Sequence, residues 1–122
     1  MLKIRKEQSE IFSQAAIKSF EDRMIQYLRQ FFSQRYDEFG EEHVRGLIRE
    51  GIANAATYQI IRECDVARYV TIMFSLRTDF DTSHETAWAA PILRDTSRTA
   101  EDRLEQLYSR TIQELEKVRE RA

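Results

Sequence analysis

The chain has 122 residues, 42% of them hydrophobic and 33% charged, with 19 basic against 21 acidic side chains. At this length folding buries roughly two thirds of the surface of the unfolded chain, enough for one core without staples, and the near-balance of charge excludes a global field that would draw the protein onto nucleic acid or an anionic membrane. The single cysteine, Cys64, excludes an internal disulfide and suits a reducing compartment.

The basic start, Met1 to Lys6, runs into Glu7, Gln8, Ser9 and Glu10 where a secretory signal needs its apolar stretch. No run approaches the roughly eighteen apolar residues of a membrane span. A cytoplasmic protein without a membrane partner is therefore expected. Three glycines and one proline leave little room for long loops.

From about Glu7 to Phe32, apolar residues recur at Ile11, Phe12, Ala15, Ala16, Phe20, Met24, Tyr27, Leu28, Phe31 and Phe32. This three- and four-residue spacing predicts an amphipathic helix about 39 Å long, with Lys18, Glu21, Asp22, Arg29 and Gln30 on its other side. Ser33 can interrupt it, and a two-turn helix, Gln34 to Phe39, should end at Gly40 in a left-handed position. Glu41 and Glu42 then open a helix with negative charge where its dipole favours it. The stripe of that helix is Val44, Leu47, Ile48, Ile52, Ala55 and Ala56, with Gly51 and Ala55 inviting close approach by another helix, expected to be the central one. Tyr58 to Glu63 connects, with Ile60 and Ile61 plugging the core.

Asp65 to Leu76 is the most apolar window: Val66, Ala67, Tyr69, Val70, Ile72, Met73, Phe74 and Leu76 leave almost no polar face. A buried strand and a buried helix are hard to separate by periodicity in so short a run. No second strand-like run exists to pair with it, and a helix apolar all round is a buried one. The expected fold is all-α: a single-domain bundle over residues 1–122, with five to six helices around a buried central helix at about 65–77.

Arg77 to Glu85 reads as a loop rich in turn-forming Asp, Thr and Ser, anchored by Phe80. Thr86 to Leu93 reads as a short helix carrying Trp88 and Ile92, in which Pro91 permits only a first-turn position or a kink. Thr99 to Asp102 resembles a capped helix start, followed by a stripe of Leu104, Leu107, Tyr108, Thr111, Leu115 and Val118. Charge is uneven along the chain: residues 1–36 carry seven basic and four acidic groups, residues 37–65 three and seven. Opposite signs meeting in the fold, or a docking surface, would each account for this.

No catalytic signature is present. Asp79, Asp81, Ser83 and Glu85 have the spacing of a calcium loop, but His84 replaces the turn glycine and Ala90 the bidentate glutamate. His84-Glu85-Thr86-Ala87-Trp88 lacks the second histidine of a zinc-protease helix. Phosphate-binding glycine loops, nucleophile elbows and Cys-x-x-Cys pairs are missing, so the chain is read as a non-enzyme with no catalytic residues, no cofactor and no metal site. Arg23, Arg29 and Arg35 are interleaved with acids, which disfavours a nucleic-acid stripe. Protein binding is the class that remains, with Phe31, Phe32, Tyr36, Asp79, Phe80, Asp81 and Trp88 as the candidate partner-binding residues, because aromatics beside loops often serve as anchors.

Several segments together resemble a family of small helical proteins encoded beside spike and effector genes in bacterial type VI secretion clusters. They are Ile4-Arg5-Lys6-Glu7-Gln8, Phe12-Ser13-Gln14-Ala15-Ala16, Ser19 to Met24, Gly40-Glu41-Glu42, Ile48 to Ile52, and Asp79-Phe80-Asp81-Thr82 followed by Trp88-Ala89. The resemblance implies a cytoplasmic accessory protein that handles a secreted effector or spike component as adaptor or chaperone. Such a protein would expose an apolar groove between helices and dimerise or wrap a partner segment. Two alternatives stand beside it: an immunity protein that neutralises a cognate toxin through residues 37–65, and a small nucleic-acid-binding protein.

Overall fold

A computed structural model of the chain describes residues 10, 11 and 13–121. The fold is all-α: among the described residues there are six α-helices, and the only sheet-like pairing is one bridge between Glu10 and Arg62. The chain divides into two compact units, Met1–Thr71 and Ile72–Ala122.

In the first unit, α1 (Gln14–Phe31) starts later than the periodicity predicts. Ser13 caps it, its hydroxyl accepting from the Ala16 N–H at 3.0 Å. Ile11 is drawn instead into an extended contact, donating its N–H to the Ile61 carbonyl at 2.9 Å. The helix is therefore 18 residues long. Glu7 to Ser9 and Phe12, also assigned to this helix by the sequence, lie outside the described residues. The buried side chains of α1 are Phe20, Glu21, Met24, Ile25 and Leu28, so Glu21, placed on the outer side by the sequence, faces inward.

Helices α2 (Ser33–Phe39) and α3 (Glu41–Thr57) meet at Gly40, whose φ of +85° gives the sharp reversal that a side chain would resist. The α3 stripe is as expected except that Ala56 is exposed. The principal helix neighbours of α3 are α1 and α2. The close approach expected between Gly51–Ala55 and the central helix is thus not its main packing. The C-terminus of α3 closes by two reversed bonds, from Ile60 N–H to the Ala55 carbonyl and from Gln59 N–H to the Ala56 carbonyl, both 2.9 Å. Gln59 sits at φ +63° to make them, and Ile60 is fully buried while Ile61 is only half-buried.

The apolar window is a helix, α4 (Glu63–Ser75), beginning two residues before the expected start. Glu63 and Asp65 both occupy its first turn, where carboxylates suit the positive end of the helix. None of its 13 residues is exposed. The division between the two units falls within it.

In the second unit, the loop after α4 wraps around Phe80, which is fully buried, and the Thr86 hydroxyl donates to the Phe80 carbonyl at 2.6 Å. A single 3-10 turn, His84–Thr86, precedes α5 (Ala89–Arg94). The helix begins at Ala89 and not at Thr86 as the sequence suggests, which takes the first-turn option for Pro91, whose missing N–H costs nothing there. Then α6 (Ala100–Arg121) starts at Thr99, whose hydroxyl accepts from the Asp102 N–H at 3.1 Å. Arg103, 3% exposed, donates to the Leu93 carbonyl at 2.6 Å, satisfying an end group of α5 and joining it to α6.

Candidate partner-binding groove

Helix α1 carries more apolar surface than one neighbour can cover. Phe20, Met24, Tyr27 and Phe31 follow i, i+4, i+7, i+11 and form one strip; Ile25, Leu28 and Phe32 form a second beside it. Phe20, Met24, Ile25 and Leu28 are buried, whereas Tyr27 and Phe31 are 40% and 60% exposed and Phe32 is half-buried. The Tyr27 ring lies 4.8 Å from that of Phe31 and 6.4 Å from that of Phe32. These tilted contacts hold three aromatics as one patch.

Tyr27 also lines a groove against α4, together with Phe20, Arg23, Met24, Glu63, Cys64 and Ala67. Its volume of about 270 Å³ falls just short of the roughly 300 Å³ at which small-ligand pockets begin. It suits one or two apolar side chains of a larger partner. Ala67 keeps the α4 wall low, and the strip Cys64, Ala67 and Thr71 is half-buried. One edge is set by Arg23 Nη2, which meets Glu63 Oε1 at 2.7 Å; this carboxylate, 5% exposed, is neutralised where it would otherwise be stranded. The Cys64 thiol is half-buried and makes a long contact, 3.8 Å, with Asp65 Oδ1.

About a quarter-turn round α1 from the groove strip, among Ile25, Leu28 and Phe32, lies a charge network. Glu21, 3% exposed, accepts from Arg45 Nη1 at 2.8 Å and from Arg49 Nε at 3.0 Å. Burial works to raise its carboxyl, but the hydrogen bonds from Arg49 and Arg45 outweigh it and hold Glu21 below the usual carboxylate range. Glu41 is also held low, first by the hydroxyl of Tyr36 donating at 3.0 Å and then by Arg45. Charges of the two stretches pair in both senses: Arg23–Glu63 and Arg29–Glu41 set bases of the first on acids of the second, and Arg45 and Arg49 on Glu21 the reverse.

The candidate partner-binding residues fall in both units, Phe31, Phe32 and Tyr36 in the first and Asp79, Phe80, Asp81 and Trp88 in the second. Phe31 and Phe32 come together beside Tyr27. Tyr36 is turned inward, 8% exposed, with its hydroxyl between Arg29 and Glu41. In the second unit Phe80 is core and Asp81 is buried, so neither is a surface anchor. Asp79 is exposed, and Arg77 binds it together with Glu85. Trp88 is half-buried beneath the Arg110 guanidinium, 5.0 Å from its ring. The groove residues missed by the sequence reading are Cys64 and Ala67, together with the exposure of Tyr27. The signal was an apolar arc on α1 spanning about 160° at about 100° per residue, wider than the roughly 100° stripe that packing against a core requires.

Among the described residues no three His, Cys, Asp or Glu side chains are grouped as a metal ion would need, and no helix is long and apolar enough to cross a membrane. Comparison with models of known protein families, with curated proteins and with solved structures returned no match.

Proposed function

We propose that this chain is a non-enzymatic, protein-binding accessory protein that acts as an effector adaptor or chaperone of a type VI secretion cluster, holding an amphipathic segment of its partner in the groove between α1 and α4. The observation that carries the reading is the continuity of that groove with the Tyr27, Phe31 and Phe32 patch. Three large aromatics left beside an apolar trough supply what helix-in-groove recognition uses, anchors on one wall and a low opposite wall.

The immunity alternative draws on the acids of residues 37–65. Of these, Glu41 pairs with Arg29 and Arg45, Glu63 with Arg23, and Asp65 with Arg62. Asp37, Glu38, Glu42 and Glu50 remain exposed, and these are the acids that an immunity surface would use. The same pairs occupy Arg23 and Arg29, which weakens the nucleic-acid alternative.

Co-purification with the products of neighbouring genes tests the proposal. A stable complex that keeps an effector soluble, and is lost in Phe31→Asp while the helical signal and melting temperature are retained, is the expected result. Toxin neutralisation without any effect on effector solubility would favour immunity instead, and full retention of the complex by Phe31→Asp would remove the groove from the account.

A further inference from the structure

The chain enters the fold beside the groove between α1 and α4. Glu10 and Arg62 form an antiparallel bridge, and Ile11, 6% exposed, donates its N–H to the Ile61 carbonyl at 2.9 Å. In antiparallel pairing a step back along one segment is a step forward along the other, so the residues before Glu10 head from the bridge towards Glu63. Glu63 and Cys64 already line the groove. Met1 to Ser9 precede the bridge and lie outside the described residues. From Glu10 back to Ile4 an extended chain spans up to about 20 Å. The α4 wall from Glu63 to Ala67 is only about 6 Å long, and the α1 wall from Phe20 to Tyr27 about 10 Å. The segment can therefore reach every part of the groove.

We propose that Leu2 and Ile4 of this chain occupy the groove when no partner is bound, so that the groove carries its own displaceable cover. In an extended segment their spacing of two puts both side chains on one face, with Lys3 and Arg5 on the other, towards water. The groove holds one or two apolar side chains, which this pair supplies. Arg23 compensates Glu63 at the rim, so no bare carboxylate draws Lys3 or Arg5 into the seat in place of Leu2 and Ile4. Tethering favours this occupant over any free segment, because a short connection sets an effective concentration on the order of millimolar. The inference rests on the groove reading of the proposed function and adds its regulation. An effector segment must displace the cover, which weakens its apparent binding in proportion to the fraction of molecules left open.

Cys64, the single thiol, lines the groove and reports on its cover with no partner present. Its alkylation by a neutral maleimide in the full chain should be at least about threefold faster in Ile4→Gln than in the wild type, because cover in about two thirds of the molecules leaves about one third open. The helical signal and melting temperature should stay unchanged. Leu2→Gln should act in the same direction. Under mild oxidation a disulfide to Cys64 should close faster in Ile4→Cys than in Lys3→Cys, whose side chain is placed on the other face. Equal alkylation rates in the wild type and Ile4→Gln overturn the proposal, whatever the co-purification gives. Equal disulfide rates from the two positions overturn the extended seat. Protection of Cys64 that rises with protein concentration would assign the cover to a second copy and overturn the intramolecular form.

Discussion

Arg45 Nη1 lies 2.8 Å from Glu21 Oε1, 24 positions away in the chain, and locks α3 against α1 through a carboxylate that is 3% exposed. The same arginine reaches Asp22 at 2.9 Å and Glu41 at 3.3 Å. One guanidinium thus compensates three carboxylates, which explains how a glutamate can sit on the buried face of an otherwise apolar strip. Removing the charge of Glu21 takes this carboxylate from Arg49 and leaves Arg45 with Asp22 and Glu41. Glu21→Gln is expected to lower stability by about 1–3 kcal/mol in chemical denaturation. Arg49→Ala should cost less, about 0–1 kcal/mol, because the Arg49 side chain is 61% exposed and water can replace it around Glu21.

Acid should act through the same group. The carboxyls of Glu21, Asp22, Glu41, Asp95 and Glu114 are all held low in the folded chain. A depressed folded value contributes stability above the unfolded carboxyl range, near pH 4, which is lost as pH falls through the folded value. Melting temperature should therefore be flat from pH 7 to about 5 and drop below about 4. In Glu21→Gln the acid limb should be shallower, because one of the titrating groups is gone. An equally steep limb in the variant would show that Glu21 does not take part.

Met73 is 1% exposed in the last turn of α4, the helix that has no exposed residue. Met73→Asp buries an unpaired charge or a protonated acid without a partner, either costing several kcal/mol against a total stability of about 5–15 kcal/mol for a domain. Loss of cooperative melting is expected. A cooperative transition with full helicity would show that α4 does not hold the fold together.

Two backbone positions should accept stabilising changes. Gln59 at φ +63° occupies the left-handed position that closes α3, where glycine has no side chain to clash. Gln59→Gly is expected to gain about 0.5–1 kcal/mol. Gly46 lies inside α3 with nothing within 4 Å of where a Cβ would stand. Gly46→Ala should gain a similar amount, about 0.5–1 kcal/mol, from helix propensity. Urea titration of the two single variants and the double variant tests both, and a gain close to additive is expected because they concern separate turns.

Many elements were readable from residue order because their causes are local. Gly40 at a reversal, Thr99 at a helix start and the absence of a polar face from Val66 to Phe74 each declare themselves within a few neighbouring residues. Errors arose where a local preference met a distant competitor. The periodic run before Ser13 suggests continued helix, yet Ile11 bonds instead to the Ile61 carbonyl, and no pattern within either segment foretells that pairing. Glu21 reads as an outer residue on spacing alone, because the arginines that make its burial tolerable come from another helix.

Residue order settled where most helices form and that one of them must be hidden, since helical period, capping chemistry and side-chain polarity act over a turn or two. Only the packed molecule decided which apolar surface receives cover. Leu107 and Val118 belong to one stripe, Met24 and Phe31 to another, yet in each case the first is buried and the second exposed. Cover depends on which elements lie opposite, through contacts far apart in the chain, and those leftover surfaces are where a partner would bind.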